Sequence, residues 1–187
     1  HACPASCRCS VCTPPPIRSR SNCRTWPMTT RPCAVRLTRQ MPDHALENQL
    51  PNRPRSWRVL MHHVFQIGDA FLDAEIDHRR LEYEMLVVSP PDAMTSSAAI
   101  ADWGNTVRER FARWWTAAQS SDFSSPADTY YGPTSRHETL ERTVWHSLQH
   151  VRQIAALLES IGITPDAPPT PADCAGLPIT EKIWDEG

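Results

Sequence analysis

Two histidines near the C-terminal end of the sequence have the spacing of a metal-binding pair. His146 and His150 stand four residues apart, so in a helix both imidazoles project from the same side. Two ring nitrogens in this arrangement can bind one ion that prefers nitrogen ligands, such as Zn²⁺. The spacing alone is a weak signal, because two partly exposed polar residues produce the same pattern.

A third histidine is placed by the apolar pattern of an earlier segment. Its apolar residues recur in steps of three and four, as on the core-facing side of a helix: Trp57, Leu60, Val64, Ile67 and Phe71. At about 100° per residue, His63 lies about 70° from the centre of this side, and His62 lies nearly opposite. We therefore expect His63 to face the protein interior and His62 to face water.

Buried imidazoles need a metal ion or hydrogen-bond partners, and two arrangements would supply them for these three rings. His150 falls inside the apolar side of its own helix and His146 falls at its edge, so both are expected to point inward with His63. An unpartnered buried polar group is costly, and one divalent ion would satisfy all three rings. Alternatively, each ring hydrogen-bonds a Ser, Thr or Tyr of a neighbouring helix. The remaining histidines are expected to be solvated: His1, His44, His78 and His137.

Several polar residues near the last predicted helix are candidates for a supporting role. Glu138 and Arg142 lie two turns and one turn before the histidine pair and could line the same face. Glu138 also fits a capping box with Ser135, which is the favoured interpretation. Tyr130 and Tyr131 precede this helix, where they could cover the mouth of a site or anchor the loop. Residues 149, 152 and 153 are expected on the outer face or as partners of the histidines.

Four segments carry helical patterns, and these segments must position the histidines. They are residues 34–41, with a continuation after Pro42 to Leu50, and residues 56–74, 97–119 and 135–162. Two prolines in PNRPR (51–55) separate the first two segments. Only LEYEMLVV (81–88) suggests a strand. The pattern predicts an all-α four-helix bundle with a long connection between its second and third helices. It also predicts an extended C-terminal tail that docks through Leu177, Ile179, Ile183 and Trp184.

The first 33 residues differ in composition from the rest of the chain. They hold six of the seven cysteines, in CxxxC, CxC and CxxC spacings that match no standard zinc or redox motif. Residues 1–42 carry seven arginines and no acid, whereas residues 43–187 carry 12 basic and 21 acidic side chains. We therefore predict a disordered or mis-framed head at 1–33 and a helical domain at 34–187.

Composition also limits the classes of partner. No stretch approaches the roughly 20 apolar residues of a membrane-spanning helix, and a formal net charge of -2 creates no overall field that attracts nucleic acid. The N-terminus lacks the apolar block of a secretory signal. These features predict a cytoplasmic protein that binds neither membrane nor nucleic acid.

Two segments and the tail resemble the DinB-like superfamily of metal-binding four-helix bundles. The residues that carry the resemblance are PNRPRSWRVLMHHVFQIGDAFLDA (51–74), LERTVWHSLQHVRQIAALLESIGI (140–163) and AGLPITEKIWDE (175–186). The tail is similar to that of a bacterial subgroup, relatives of which carry a glutaredoxin-like domain before the bundle. The resemblance implies that one histidine of the second helix and the HxxxH pair of the last bind a divalent metal. In this sequence these are His63, His146 and His150.

Three neutral imidazoles would leave a bound Zn²⁺ or Ni²⁺ with its double charge and an open coordination position. Two reactions are expected from such a centre: hydrolysis by metal-bound hydroxide, or transfer of a low-molecular-weight thiol such as glutathione, mycothiol or bacillithiol. The resemblance favours the thiol-dependent transferase. The expected partners are a small-molecule substrate and a second copy of the chain. The alternative is a non-catalytic interaction or dimerisation module whose histidines are structural.

Overall fold

Four long helices form most of the structure. The structure, a computed structural model, describes residues 26–51 and 53–184, with side chains from Pro32 onward. The long helices are α1 (Trp26–Gln40), α2 (Trp57–Ile76), α4 (Ser97–Ala118) and α5 (Arg136–Ser160), and α3 (Tyr83–Leu86) is a single turn. Both α1 and α2 contact α4 and α5, which gives a mostly helical architecture. Among the described residues no helix has the length and apolar character needed to cross a membrane.

Serine caps begin three of these helices where the sequence predicts them. The Ser56 side chain accepts a hydrogen bond from the Val59 amide at the start of α2. Ser96 does the same for α4, and Ser135 forms the predicted capping box at the start of α5. At the other end of α5, Gly162 adopts a φ of 79°, a left-handed conformation that costs glycine little. The predicted intervals for these three helices are therefore confirmed to within two residues.

The first helix differs from the prediction at both ends. It begins at Trp26, eight residues before the expected Ala34, and it includes Pro32. It does not resume beyond Pro42. Residues 43–45 instead form a 3-10 turn, and the chain then pairs β1 (Gln49–Leu50) with β2 (Arg53–Ser56) in an antiparallel sheet. Of the head predicted at residues 1–33, residues 1–25 lie outside the described residues, and residues 26–33 are helical and belong to α1.

The connection between α2 and α4 does not contain the strand suggested by LEYEMLVV. Its centre is the turn α3, which packs against α2. Only Leu81 makes strand-like hydrogen bonds. Its amide donates to the Asp128 carbonyl, and its carbonyl accepts from the Tyr130 amide. A second short sheet, β3 (Pro126–Ala127) with β4 (Thr134–Ser135), precedes α5. A strand needs a hydrogen-bonded neighbouring strand along its length. Within the described chain, residues 81–88 have such a neighbour only at Leu81.

The tail after α5 is extended and returns along the helical core. Leu177 and Ile179 pack beside Leu148 of α5, and Trp184 packs beside the core formed by α1, α2 and α5. Ile183 is half-buried. The predicted docking of this tail through its apolar residues is therefore confirmed.

Candidate metal centre

The three predicted histidines meet where α2 packs on α5. His63 of α2 and the α5 pair, His146 and His150, each offer one nitrogen, and these three nitrogens lie within 4.8 Å of one another. The ring centroids are 5.4 Å apart for His63 and His146, and 5.0 Å apart for His63 and His150. His63 and His150 are buried, and His146 is half-buried. The prediction that these three side chains come together is confirmed, and they lie close enough to hold one metal ion.

Hydrogen bonds from outside the cluster fix the tautomers of two rings. His63 Nδ1 lies 2.8 Å from the carbonyl oxygen of Leu86, the last residue of α3. His150 Nδ1 lies 2.7 Å from the amide oxygen of Gln153. Both oxygens only accept hydrogen bonds, so the network assigns the proton to Nδ1 in each ring and the lone pair to Nε2. Histidines that bind metals are usually held by such an outer acceptor.

The environment keeps two of these histidines, His63 and His146, in the neutral form that metal binding requires. Burial lowers the pKa of His63 and of His146 well below the usual value. The neighbouring imidazoles and the charge of Arg55 lower both pKa values further, and Arg142 adds to the effect on His146. The other side chains that shift these two pKa values are imidazoles and guanidiniums, without a carboxylate. The guanidiniums that act on these two rings, those of Arg55 and Arg142, are therefore both cationic.

Arg142 and Tyr131 lie together beside the centre. Arg142, one turn before His146, is buried, and its guanidinium carbon lies 4.5 Å from the centroid of the Tyr131 ring. Burial raises the pKa of the Tyr131 hydroxyl. Tyr130 contacts both the Tyr131 ring and Tyr83 of α3, with centroid distances of 4.9 and 5.5 Å. The loop before α5 thus joins α3, which holds His63, to the helix that carries the other two histidines.

Glu138 is placed by its capping role. Its carboxylate accepts hydrogen bonds from the amide and hydroxyl of Ser135, at 2.8 and 2.7 Å, and from the Thr134 hydroxyl. These bonds lower the pKa of Glu138. Eight residues of helix separate it from His146, which corresponds to about 12 Å along the axis. The capping interpretation is therefore confirmed, and this carboxylate is held at the end of α5.

The expectation that His62 faces water is wrong. His62 is buried, and its ring stacks on Trp103 of α4 with centroids 4.3 Å apart and planes 8° apart. The prediction assumed that α2 packs against the rest of the protein only through its apolar side. In the structure α2 contacts both α4 and α5, so a second side of the helix is also buried. The close approach to α4 is also visible at Gly104, where a Cβ atom would lie 2.5 Å from the Phe65 ring. In the sequence, the large Trp103 followed by the small Gly104 was the feature that could have indicated this second interface between α2 and α4.

A separate cavity of about 350 Å³ lies between the end of α2 and the start of α5. Its lining includes Glu75 and Arg136, which form a 2.7 Å ion pair, and Thr129 and Thr139. The three clustered histidines are not part of this lining. The cavity is therefore distinct from the candidate metal centre.

The centre offers three imidazoles from two helices, a nitrogen donor set that suits Zn²⁺ or Ni²⁺. Three protein ligands leave a coordination position for water or for a substrate atom. The sequence pattern predicted the three clustered histidines but not the Leu86 carbonyl or Arg55, for which residue type gives no signal. Comparison with known proteins does not extend the assignment: neither a protein-family model nor a curated protein matches the chain.

Proposed function

We propose that this protein binds one divalent metal ion, Zn²⁺ or Ni²⁺, through His63, His146 and His150. The observation that carries the proposal is the convergence of three histidine nitrogens within 4.8 Å. The outer partners of two rings are a carbonyl and an amide oxygen, which accept hydrogen bonds from Nδ1 and so place the lone pair of each ring on Nε2.

We also propose that the chain is a DinB-like four-helix bundle. The segments that resemble this superfamily are α2, α5 and the tail, and the histidine cluster is formed by the first two of these. The four long helices pack pairwise, as in a bundle, and the long connection lies between the second and third of them. Sequence resemblance and the arrangement of helices support the same family.

Among the two expected reactions, the electrostatics favour thiol-dependent transfer. When bound, the metal would stabilise a thiolate or acidify a water molecule. A hydrolase also needs a general acid or base near the ion, and Glu138 is held in the capping box. Arg55 and Arg142 instead place positive charge near the histidines. Positive charge of this kind favours an anionic group such as a thiolate.

Metal analysis of tag-free protein tests the binding proposal. We expect about one divalent ion per chain, and we expect His150→Ala to lose it. His62→Phe is the matched control, since His62 neighbours His63 in sequence but contacts Trp103 of α4 instead. Metal at background level in the unmodified protein would refute the proposal and favour the non-catalytic interaction module.

Cobalt substitution tests the thiol branch. Glutathione, mycothiol or bacillithiol that binds through sulfur should add a sulfur-to-cobalt charge-transfer band to the absorption spectrum. Arg142→Gln should weaken this binding, because it removes a charge beside His146. If none of the thiols changes the spectrum of the cobalt-loaded protein, the transferase assignment fails and hydrolysis remains.

A further inference from the structure

The end of the described chain is held against α5 by hydrogen bonds to its main chain. We define residues 177–184 as the C-terminal strap. Four side chains of α5 donate to its carbonyl oxygens: Trp145 to Pro178, Gln149 to Lys182 and Ile183, Arg152 to Thr180 and Glu181, and Gln153 to Ile183. The buried Leu177 and the half-buried Trp184 anchor the two ends of the strap in the core. The strap is therefore a packed part of the fold.

Of these four side chains, Gln153 also hydrogen-bonds a candidate metal ligand, His150. Its amide nitrogen donates to the Ile183 carbonyl at 2.9 Å, and its amide oxygen lies 2.7 Å from His150 Nδ1. Gln153 is buried, with 6% of its surface exposed. Both ends of the amide are thus engaged in the interior, one on the strap and one on the histidine.

The two contacts of Gln153 depend on each other because an amide has one donor end and one acceptor end. The Ile183 carbonyl only accepts hydrogen bonds, so it must face the NH₂ group. This turns the amide oxygen toward His150, where it accepts the Nδ1 proton and leaves the lone pair on Nε2. Without the strap, the amide could rotate and present its NH₂ group to the ring, which would favour the opposite tautomer.

We propose that Gln153 is a positioning residue through which docking of the C-terminal strap sets the metal affinity of His150. This inference rests on the metal binding proposed above. Under this proposal the strap influences the metal centre through Gln153 and is not itself a ligand. Coupling between two binding events is reciprocal, so an ion bound at the histidines should also hold the strap more firmly against α5.

Zinc affinity of the full chain, measured by competition with a chromophoric chelator, tests the positioning role. We expect Gln153→Leu to weaken zinc binding by about 10- to 100-fold, the usual effect of losing an outer partner of a ligand. Gln153→Glu should retain the affinity. Both oxygens of a carboxylate accept hydrogen bonds, so this side chain can accept one from His150 Nδ1 without being oriented by the strap. Gln149→Leu is the matched control, because Gln149 donates to the same Ile183 carbonyl, and a change below about threefold is expected.

Hydrogen exchange of residues 177–184 with and without zinc tests the coupling in the other direction. Zinc should slow exchange of the strap in the unmodified protein and in Gln149→Leu. The zinc effect should disappear in Gln153→Glu, which binds the ion but cannot donate to the Ile183 carbonyl. This readout separates positioning from a general loss of stability, because each variant is compared with itself.

The outcomes distinguish this inference from the metal proposal. If the unmodified protein binds zinc and Gln153→Leu binds it within threefold of the same affinity, the coupling is refuted and the metal proposal stands. Equal weakening by Gln153→Leu and Gln149→Leu would also refute it, because strap docking alone would then explain both. An unmodified protein that binds no zinc would refute both proposals.

Discussion

Replacing His62 with Phe should remove a measurable part of the acid sensitivity of the metal-free protein. Burial, followed by the charge of Arg58, lowers the pKa of His62 to about 4. Its Nδ1 has no hydrogen-bond partner within the described part of the chain. Phe keeps an aromatic ring in the stack on Trp103 and cannot take up a proton. The substitution therefore isolates the titration of this one imidazole.

The size of the effect follows from the difference between the folded and unfolded pKa values. In the unfolded chain His62 titrates near the usual 6.5, so below that pH the unfolded state binds a proton that the folded state excludes. Stability is therefore lost as the pH falls from about 6.5 toward 4. The linkage relation gives a loss of about 1.4 kcal/mol between pH 7.5 and 5.5, and about 2.5 kcal/mol by pH 4.5.

Urea unfolding in the presence of a chelator measures this contribution. The free energy of unfolding should fall less steeply with decreasing pH in His62→Phe than in the unmodified protein, by the amounts given above. His146 titrates equally in both proteins and cancels in the difference, and His62 makes the smallest contribution to the lowered pKa of His63, so the titration of His63 nearly cancels as well. Parallel pH profiles for the two proteins would refute the reasoning, since His62 would then be accessible to protons in the folded state.

Three further substitutions test the roles of other residues. Glu138→Ala should lower the free energy of unfolding by about 1 kcal/mol, as loss of a cap does, and leave zinc affinity unchanged; weaker zinc binding would contradict the capping role. Gly104→Ala should destabilise the protein by about 1–3 kcal/mol in urea, because its Cβ would displace the Phe65 ring; unchanged stability would contradict this close packing. Arg55→Gln should raise zinc affinity about threefold or more in chelator competition, because it removes a positive charge near two ligands.

Local patterns in the sequence were sufficient for the elements that carry the ligands. The apolar steps along α2 and the capping box of α5 depend on residues within a few turns of one another, and both predicted helices are present. The HxxxH pair and the facing of His63 depend on the same periodicity. The convergence of the three histidines was therefore predictable before any tertiary contact was known.

Features that depend on a distant partner were not predictable in this way. His62 is buried because Trp103, 41 residues later in the chain, covers the side of α2 opposite the apolar side used for the prediction. The main-chain carbonyl that orients His63 comes from residue 86. Every residue has such a carbonyl, so no choice of side chain marks the one that is used.

The two outer partners make His63 and His150 unequal as ligands. A main-chain carbonyl holds His63, and no side-chain substitution at Leu86 removes that acceptor. His150 depends on the side chain of Gln153, whose orientation depends in turn on the strap. A single substitution or displacement of the strap can therefore change the donor strength of His150 while His63 stays fixed. Under the proposed coupling, His150 is therefore the histidine through which the strap would adjust the metal affinity of this centre.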